Sequence, residues 1–205
     1  MTSIILAGGK SSRLGRSKAL QAIQGKSLIQ RVVDRVAILS TEIIIATARG
    51  EAIPCSSAVS IKTVADICPG KGPLAGIYSG LTASNSPRAV VVGCDMPFLS
   101  VGLLDYMSRI SSTFDVIVPR IEDKMEPLCA VYSRSCLGPI QGLLEQNELR
   151  INELFTTVRV RYIGEDEINR FDPEHLSFFN VNGKADLDRA RSLASEREWT
   201  TESRF

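Results

Sequence analysis

The chain has 205 residues, of which 44% are hydrophobic and 23% are charged, and its formal net charge is +1. This length allows one full domain and is short for two, and the composition is that of an ordinary globular protein. The near-zero charge excludes a broad electrostatic surface for nucleic acid or an anionic membrane, and no apolar run approaches a membrane-spanning length.

Strand and helix patterns alternate along the first half of the chain. Strands are predicted at 3–7, 42–48, 61–65, 89–93 and 115–119. Apolar residues at helical spacing predict helices over 28–39, 74–83 and 100–110. This alternation indicates an α/β fold with a mostly parallel sheet.

The second half carries shorter patterns of the same kinds. Strands are predicted at 128–132, 158–163 and 178–181, and helices over 135–146, 151–155 and 184–196. The polar, acidic stretch at 164–176 predicts a surface loop with one helical turn. No repeat or linker interrupts the chain, so we predict a single domain over 1–205 with a frayed tail at 197–205.

Cysteine and histidine usage limits the chemistry. The five cysteines form no C-x-x-C pair and their number is odd, which argues against a zinc site or a disulfide framework and fits a reducing cytoplasm. The first predicted strand begins within three residues of the start, which leaves no room for a signal peptide. His175 is the single histidine and lies in a predicted solvated helix start. A Ser-His-Asp or Cys-His mechanism is therefore excluded.

The first strand runs directly into a glycine pair, Gly8 and Gly9, that opens a polar loop. That loop holds Lys10, Arg13 and Lys18. Glycine lets the backbone turn tightly and approach a ligand, and bare N–H groups together with three cations form a cradle for phosphate. The start of the chain therefore predicts a nucleotide site.

Neither of the two better-known phosphate loops matches this segment. A Walker A loop ending at Gly9-Lys10-Ser11 requires a first glycine where this chain has Ile4. The dinucleotide fingerprint fails because Gly8 and Gly9 are adjacent and the next glycine is Gly15. A P-loop NTPase and an ordinary NAD-binding start are both excluded.

Ligands of open α/β sheets bind outside the carboxyl ends of the strands, here the loops after residues 7, 48, 65, 93 and 132. Asp95 follows the most apolar predicted strand, and a carboxylate at that position suits a Mg²⁺ ion bridging phosphates. Asp66 opens a turn rich in glycine and proline that runs into a helix. Aspartate is a common turn residue, so the pattern by itself predicts that Asp66 caps the turn.

Three segments resemble signatures of one enzyme group. Residues 6–18 read LAGGKSSRLGRSK and resemble L-A-[GA]-G-x-[SG]-x-R-x-G plus lysine, the first loop of the nucleotidyltransferases. Residues 66–77 look like D-x-x-P-G-x-G-P-L-x-G-I, and 94–98 look like C-D-x-P-[FY]. With two glycines and with Ser17 before the lysine, the first loop looks like that of the molybdenum cofactor guanylyltransferase family and its close cytidylyltransferase relatives. The resemblance extends to about residue 190.

The resemblance implies a fold and a role for each matching residue. The fold would have three layers around a mostly parallel, Rossmann-like sheet, with an antiparallel strand in the C-terminal half. Catalytic roles fall on Arg13, Lys18 and Asp95, and Asp95 would also hold Mg²⁺. The nucleotide-binding residues would be Leu6, Ala7, Gly8, Gly9, Lys18, Asp66, Gly72 and Asp95.

Weaker matches imply acceptor binding by Arg150, Asn180 and Asn182, for which surface, turn or cap roles stay equally open. One departure concerns the loop after the second long strand, where some members carry asparagine and this chain has Ala46-Thr47-Ala48. A side-chain contact to the nucleotide is therefore missing or supplied by Thr47.

The activity that the resemblance implies is transfer of GMP from GTP to the phosphate of molybdenum-loaded molybdopterin, which yields molybdopterin guanine dinucleotide and pyrophosphate. A cytidylyltransferase on the same cofactor, or a guanylyltransferase on another small phosphorylated acceptor, stays open. A non-catalytic nucleotide sensor is the alternative from another class, although the intact Asp95 speaks against it.

We expect 1–120 to bind the nucleotide and 121–196 to bind the acceptor. We also expect a cytoplasmic protein that makes transient contact with molybdoenzymes or cofactor-delivery proteins and binds neither nucleic acid nor membrane.

Overall fold

The computed structural model describes residues 1–8 and 18–196. The predictions for Gly9, Lys10 and Arg13, and for the tail at 197–205, lie outside the described residues. Among the helices of the described part, none combines the length and the apolar character that crossing a membrane requires.

A mixed sheet forms the centre of the fold. Within the described residues, the strands are β1 (Thr2–Leu6), β2 (Ala22–Ile23), β3 (Lys26–Ser27), β4 (Glu42–Thr47), β5 (Ser60–Ala65), β6 (Arg88–Gly93), β7 (Val116–Ile121), β8 (Lys124–Met125), β9 (Cys129–Ser133) and β10 (Val160–Ile163). The order across the main sheet is β10-β7-β9-β6-β1-β4-β5, with β8 paired to β7. Strands β2 and β3 form a separate hairpin.

The strand directions place the candidate site at one edge of this sheet. β1 is parallel to β4 and β6, β4 is parallel to β5, and β7 is parallel to β10. β9 runs antiparallel to both β6 and β7. The predicted mostly parallel α/β fold with an antiparallel strand in its C-terminal half is therefore confirmed.

The direction of β9 corrects one prediction. Because β9 is reversed, its carboxyl end at Ser133 lies beside Arg88, at the amino end of β6. The loop after residue 132 is consequently at the wrong edge for a ligand. The residues before β9 lie at the correct edge instead, where Gly93 N donates to Leu128 O at 3.1 Å.

Helices cover both faces of the sheet. Within the described residues they are α1 (Leu28–Ala37), α2 (Gly72–Ala83), α3 (Val101–Arg109), α4 (Leu137–Glu145), α5 (Ile151–Leu154), α6 (Glu165–Ile168) and α7 (Lys184–Ser195). Successive residues of β1 point to opposite faces. Ile5 belongs to a buried cluster with residues of α1 and α3, whereas Ile4 and Leu6 belong to a second cluster with residues of α2 and α4.

Helix α2 packs closely against β1 at two of its three glycines, Gly76 and Gly80. A β-carbon at Gly76 would lie 3.1 Å from Leu6 Cδ2, and one at Gly80 would overlap Ile4 Cγ2. The amino end of α2 follows the carboxyl end of β5, so it lies at the same edge of the sheet as the carboxyl end of β1.

Two further details differ from the sequence prediction. The strand predicted at 178–181 is wrong, because 3-10 bonds close a turn at Leu176–Phe178 and Phe179 N donates back to Leu176 O. The β2–β3 hairpin was missed, although Gln24 and Gly25, at φ 49° and 78°, form the kind of two-residue turn that short hairpins use.

The helical turn predicted within 164–176 is present as α6. The division into halves at residue 120 stays a prediction; that boundary falls inside β7.

Candidate active site

Asp95 lies just beyond the carboxyl end of β6, in the middle of the sheet edge. Cys94 N donates to Leu6 O at 3.1 Å, which ties this turn to the end of β1. The carboxylate folds back over Gly93, where a β-carbon would lie 2.5 Å from Asp95 Oδ1. The absence of a side chain at Gly93 therefore creates the space that the carboxylate occupies.

Lys18 reaches Asp95 from the other end of the first loop. It begins a 3-10 turn at Lys18–Leu20, whose backbone is closed by Gln21 N donating to Lys18 O at 3.1 Å. The Lys18 Nζ atom lies 2.5 Å from Asp95 Oδ2, and the two side chains are 19% and 18% exposed. The pair is thus partly buried but still open to solvent.

Asn182 completes a cluster of three side chains. Its Oδ1 accepts a hydrogen bond from Lys18 Nζ at 2.7 Å. The main chain beside it is fixed, because Val181 N donates to Asp95 O at 2.9 Å and Asn182 N donates to Asp186 Oδ2 at 2.8 Å. The structure therefore brings together Lys18, Asp95 and Asn182. The sequence predicted Lys18 and Asp95 for one nucleotide site and Asn182 for the acceptor.

Sequence reasoning missed the part played by Asp186. Its Oδ2 also accepts from Gly183 N at 2.9 Å, so one carboxylate fixes two successive amides at the start of α7. An acidic residue in the first turn of a helix that begins after glycine is the signal that could have indicated it.

The other two proposed acceptor residues do not join this cluster. Asn180 Nδ2 donates to Phe178 O at 2.9 Å, which is a turn role. Arg150 is 72% exposed and pairs with Glu148 at 2.9 Å and Glu153 at 3.1 Å. Both acceptor roles stay predictions.

Asp66 lies at the carboxyl end of β5 and caps its own turn. Its Oδ1 accepts from Cys68 N at 3.0 Å and from Ser79 Oγ at 3.2 Å. Further along this loop, Gly72 has φ +71°, a left-handed conformation that favours glycine. Lys71 Nζ donates to Leu144 O at 2.5 Å and so ties the loop to α4.

The end of β1 lies beside the end of β4. Ala7 N donates to Ala46 O at 2.8 Å, and a β-carbon at Gly8 would lie 3.5 Å from Ala48 N. Thr47 lies between Ala46 and Ala48 in the chain, and it is 3% exposed. Its Oγ1 is buried and has no hydrogen-bond partner within the described residues.

Comparison with known proteins finds a family model and relatives that match most of the chain. Residues 3–157 match the family model described as MobA-like NTP transferase domain. The chain is 35% identical to a probable molybdenum cofactor guanylyltransferase of Pelotomaculum thermopropionicum, over 94% of this chain and 93% of that protein. It is also 35% identical to a molybdenum cofactor guanylyltransferase of Desulfosudis oleivorans, over 94% of this chain and 95% of that one. The chain belongs to the molybdenum cofactor guanylyltransferase family.

Solved structures show the same fold. Molybdopterin-guanine dinucleotide biosynthesis protein A of Archaeoglobus fulgidus superposes with a TM-score of 0.80 at 24% identity, covering 96% of this chain and all of that one (100%). The 2-C-methyl-D-erythritol 4-phosphate cytidylyltransferase of Thermus thermophilus gives 0.68 at 16% identity, covering 94% and 98%. These structures agree with the predicted fold, and the family model and the relatives confirm the predicted family and the nucleotidyltransferase class.

The family is consistent with a divalent metal, and the residues at the site fit a hard cation. Within the described residues, no group of three or more histidine, cysteine or acidic side chains lies close enough to hold a metal ion. Mg²⁺ needs only one or two carboxylates because water and phosphate oxygens supply its other ligands. Asp95 fits that requirement. Burial and the neighbouring Asp95 charge raise the pKa of the Cys94 thiol to about 12, and hard cations such as Mg²⁺ prefer oxygen ligands to sulfur.

Proposed function

We propose that this member of the family transfers GMP from GTP to the terminal phosphate of molybdopterin that carries molybdenum. The products are molybdopterin guanine dinucleotide and pyrophosphate. The relatives are named as guanylyltransferases of the molybdenum cofactor, and a structural neighbour is named for molybdopterin-guanine dinucleotide biosynthesis. The observation that carries the proposal is the convergence of Lys18, Asp95 and Asn182 at the carboxyl edge of the sheet.

The reaction needs positioning and electrostatic stabilisation more than an acid–base residue. An oxygen of the acceptor phosphate attacks the α-phosphorus of GTP, and the bond from that phosphorus to the leaving pyrophosphate breaks as the new bond forms. The Lys18 ammonium offsets the negative charge that develops on the phosphoryl oxygens. We assign a similar part to Arg13, whose guanidinium can donate two hydrogen bonds to phosphate.

We propose that the divalent metal is Mg²⁺ and that Asp95 is its protein ligand. Asp95 would hold the Mg²⁺ ion, which would offset negative charge on the triphosphate. A single carboxylate on a partly exposed turn leaves the remaining positions to water and to substrate, which supports this assignment.

We place the nucleotide across the ends of β1 and β5. The backbone of Leu6, Ala7, Gly8 and Gly9 would contact the nucleotide, with Gly72 in the neighbouring loop. Asp66 would contact the base or ribose through Oδ2, because Oδ1 is used by the turn and Oδ2 accepts no hydrogen bond from the described residues. The adjacency of Gly8 and Ala48 supports this placement.

One experiment tests the proposed reaction. Purified protein is incubated with Mg²⁺, molybdenum-loaded molybdopterin and either GTP or CTP, and pyrophosphate release and product mass are measured. We expect release with GTP and a product of the mass of the guanine dinucleotide. Faster turnover with CTP would make the chain a cytidylyltransferase, release with another phosphorylated acceptor alone would change the acceptor, and GTP binding without release would indicate a sensor.

We also propose a cytoplasmic location and transient contact with molybdoenzymes or cofactor-delivery proteins. The five cysteines are free thiols, as is usual in reducing compartments. The proposed product is useful only once a second protein receives it.

A further inference from the structure

The Lys18–Asp95 ion pair has a consequence for metal binding, given the proposed function that assigns Asp95 to the metal. The ammonium lies 2.5 Å from Asp95 Oδ2, so a positive charge already holds one of the two carboxylate oxygens. The other oxygen, Oδ1, folds over Gly93. Two cations that share one carboxylate repel each other strongly at such distances.

We propose that Lys18 is a resident cation that a divalent metal must displace from Asp95, and that Asn182 keeps the displaced lysine at the site. The metal and the triphosphate then bind together. Metal alone takes the Asp95 carboxylate from Lys18 and supplies no other anion, whereas metal with a triphosphate provides new anionic oxygens for the ammonium.

The accessibility of the pair makes such an exchange feasible. Both side chains are about one-fifth exposed, so an incoming hydrated ion can reach the carboxylate without unfolding of the turn. The nearby main chain is held independently of Lys18, because Val181 N donates to Asp95 O and Cys94 N donates to Leu6 O. Departure of the ammonium therefore leaves Asp95 in place.

Asn182 gives the displaced lysine a second hydrogen-bond partner. Its Oδ1 is a neutral acceptor 2.7 Å from Lys18 Nζ, and this bond is separate from the bond to the Asp95 carboxylate. An ammonium has three donors, of which Asp95 and Asn182 use two. A lysine released by Asp95 thus keeps one anchor and gains donors that can turn to phosphate oxygens.

The test measures Mn²⁺ binding to the nucleotide-free protein, with free Mn²⁺ quantified by electron paramagnetic resonance. We expect Lys18→Met to bind Mn²⁺ about tenfold more tightly than wild type, because the competing charge is gone. The matched control is Lys71→Met, which removes a lysine at the same sheet edge whose ammonium binds a backbone carbonyl. That variant should bind Mn²⁺ like wild type. Equal or weaker binding by Lys18→Met would overturn the proposal.

A second measurement needs no variant. The ¹⁵N signal of the Lys18 ammonium is followed by NMR in the wild-type protein during Mg²⁺ addition, with and without an α,β-methylene analogue of GTP. With Mg²⁺ and the analogue together, we expect the signal to shift to that of a phosphate-bound ammonium. The same concentrations of Mg²⁺ without the analogue should change the signal little. A signal that stays carboxylate-bound with both ligands present would also overturn the proposal.

These outcomes are distinct from failure of the proposed function. If Lys18→Met binds Mn²⁺ more tightly but the wild-type protein forms no dinucleotide from GTP and acceptor, the proposed exchange is correct and the proposed reaction is wrong. If dinucleotide forms but the Mn²⁺ affinity is unchanged, the reaction holds and the exchange is wrong. Tight Mn²⁺ binding that persists in the Lys18→Met, Asp95→Asn double variant would show that Asp95 is not the ligand.

Discussion

Gly93 and Asp95 share one small volume at the end of β6: a β-carbon on Gly93 would lie 2.5 Å from Asp95 Oδ1. Non-bonded atoms do not approach so closely, so any side chain at position 93 must displace the carboxylate. A glycine that the sequence shows only as the end of a strand thereby determines where a candidate catalytic group can lie.

Gly93→Ala should therefore lower activity more than it lowers stability. We expect kcat for GTP-dependent pyrophosphate release to fall by about 10²-fold, the loss typical of a misplaced catalytic group. The control is Gly138→Ala, since a β-carbon at that position in α4 meets nothing within 4 Å. Full activity in Gly93→Ala, with a normal melting temperature, would contradict the role that we assign to this contact.

Removing either member of the Lys18–Asp95 pair should abolish most turnover. We expect Lys18→Ala and Asp95→Ala each to lower kcat by at least about 10²- to 10³-fold, as when a major electrostatic contact is lost. The double variant should lose little more, because both residues act at one place. Lys26→Ala is the control: it breaks another Lys–Asp pair, with Asp34 at 2.8 Å, on an exposed surface where such pairs contribute little. Near-normal pyrophosphate release in both single variants would show that the site is elsewhere.

Asn182 should affect catalysis through Lys18. A hydrogen bond to a charged group contributes roughly 1.5–3 kcal/mol, so we expect Asn182→Ala to lower kcat about tenfold or more while the melting temperature changes little. Asn169→Ala serves for comparison, because Asn169 forms a hydrogen bond with His175 on an exposed turn. We expect steady-state kinetics to give this variant the wild-type kcat. An Asn182→Ala enzyme with wild-type kcat would mean that its bond to Lys18 has no part in the reaction.

Asp115 should make stability depend on pH in acid. The Arg159 guanidinium, assisted by the Ser135 hydroxyl, holds the pKa of Asp115 well below its usual range. A carboxyl whose pKa is lowered by folding stabilises the protein above its unfolded-state pKa of about 3.9, and this contribution is lost as the pH falls towards the folded-state value.

Urea unfolding of Asp115→Asn measures this contribution. We expect a loss of about 1 kcal/mol relative to wild type at pH 7, and a difference that shrinks as the pH falls below about 4. Glu148→Gln disrupts the more exposed pair with Arg150 and should change stability less. A wild-type advantage over Asp115→Asn that grows on acidification would have the wrong sign for this mechanism.

The sequence was informative where local pattern and chemistry coincide. β6 is a run of buried apolar residues, and Asp95 follows it at the edge where parallel strands present their ligands, so both could be predicted together. The helix predicted over 100–110 is present as α3, and a local serine cap starts it: Ser100 Oγ accepts from Leu103 N, three residues away.

Long-range geometry could not be predicted in this way. Lys18 and Asn182 are 164 residues apart in the chain, and their contact depends on how α7 packs. The residues of β9 do not indicate its direction, because a fully buried strand is apolar whether it runs parallel or antiparallel to its neighbours. The alternating pattern around Val181 resembled a strand, yet its amide forms a bond to the Asp95 turn and not to a neighbouring strand.

The bond from Val181 to the Asp95 turn also bears on synthesis of the protein. Every strand of the main sheet is complete by Ile163, whereas Asn182 and the helix that supports it come afterwards. Val181 lies in a buried cluster with Phe98 and Leu187, so docking of this segment also buries a residue of α7. A chain whose synthesis stops before residue 182 therefore contains every strand of the main sheet and still lacks the Asn182 side chain that binds Lys18.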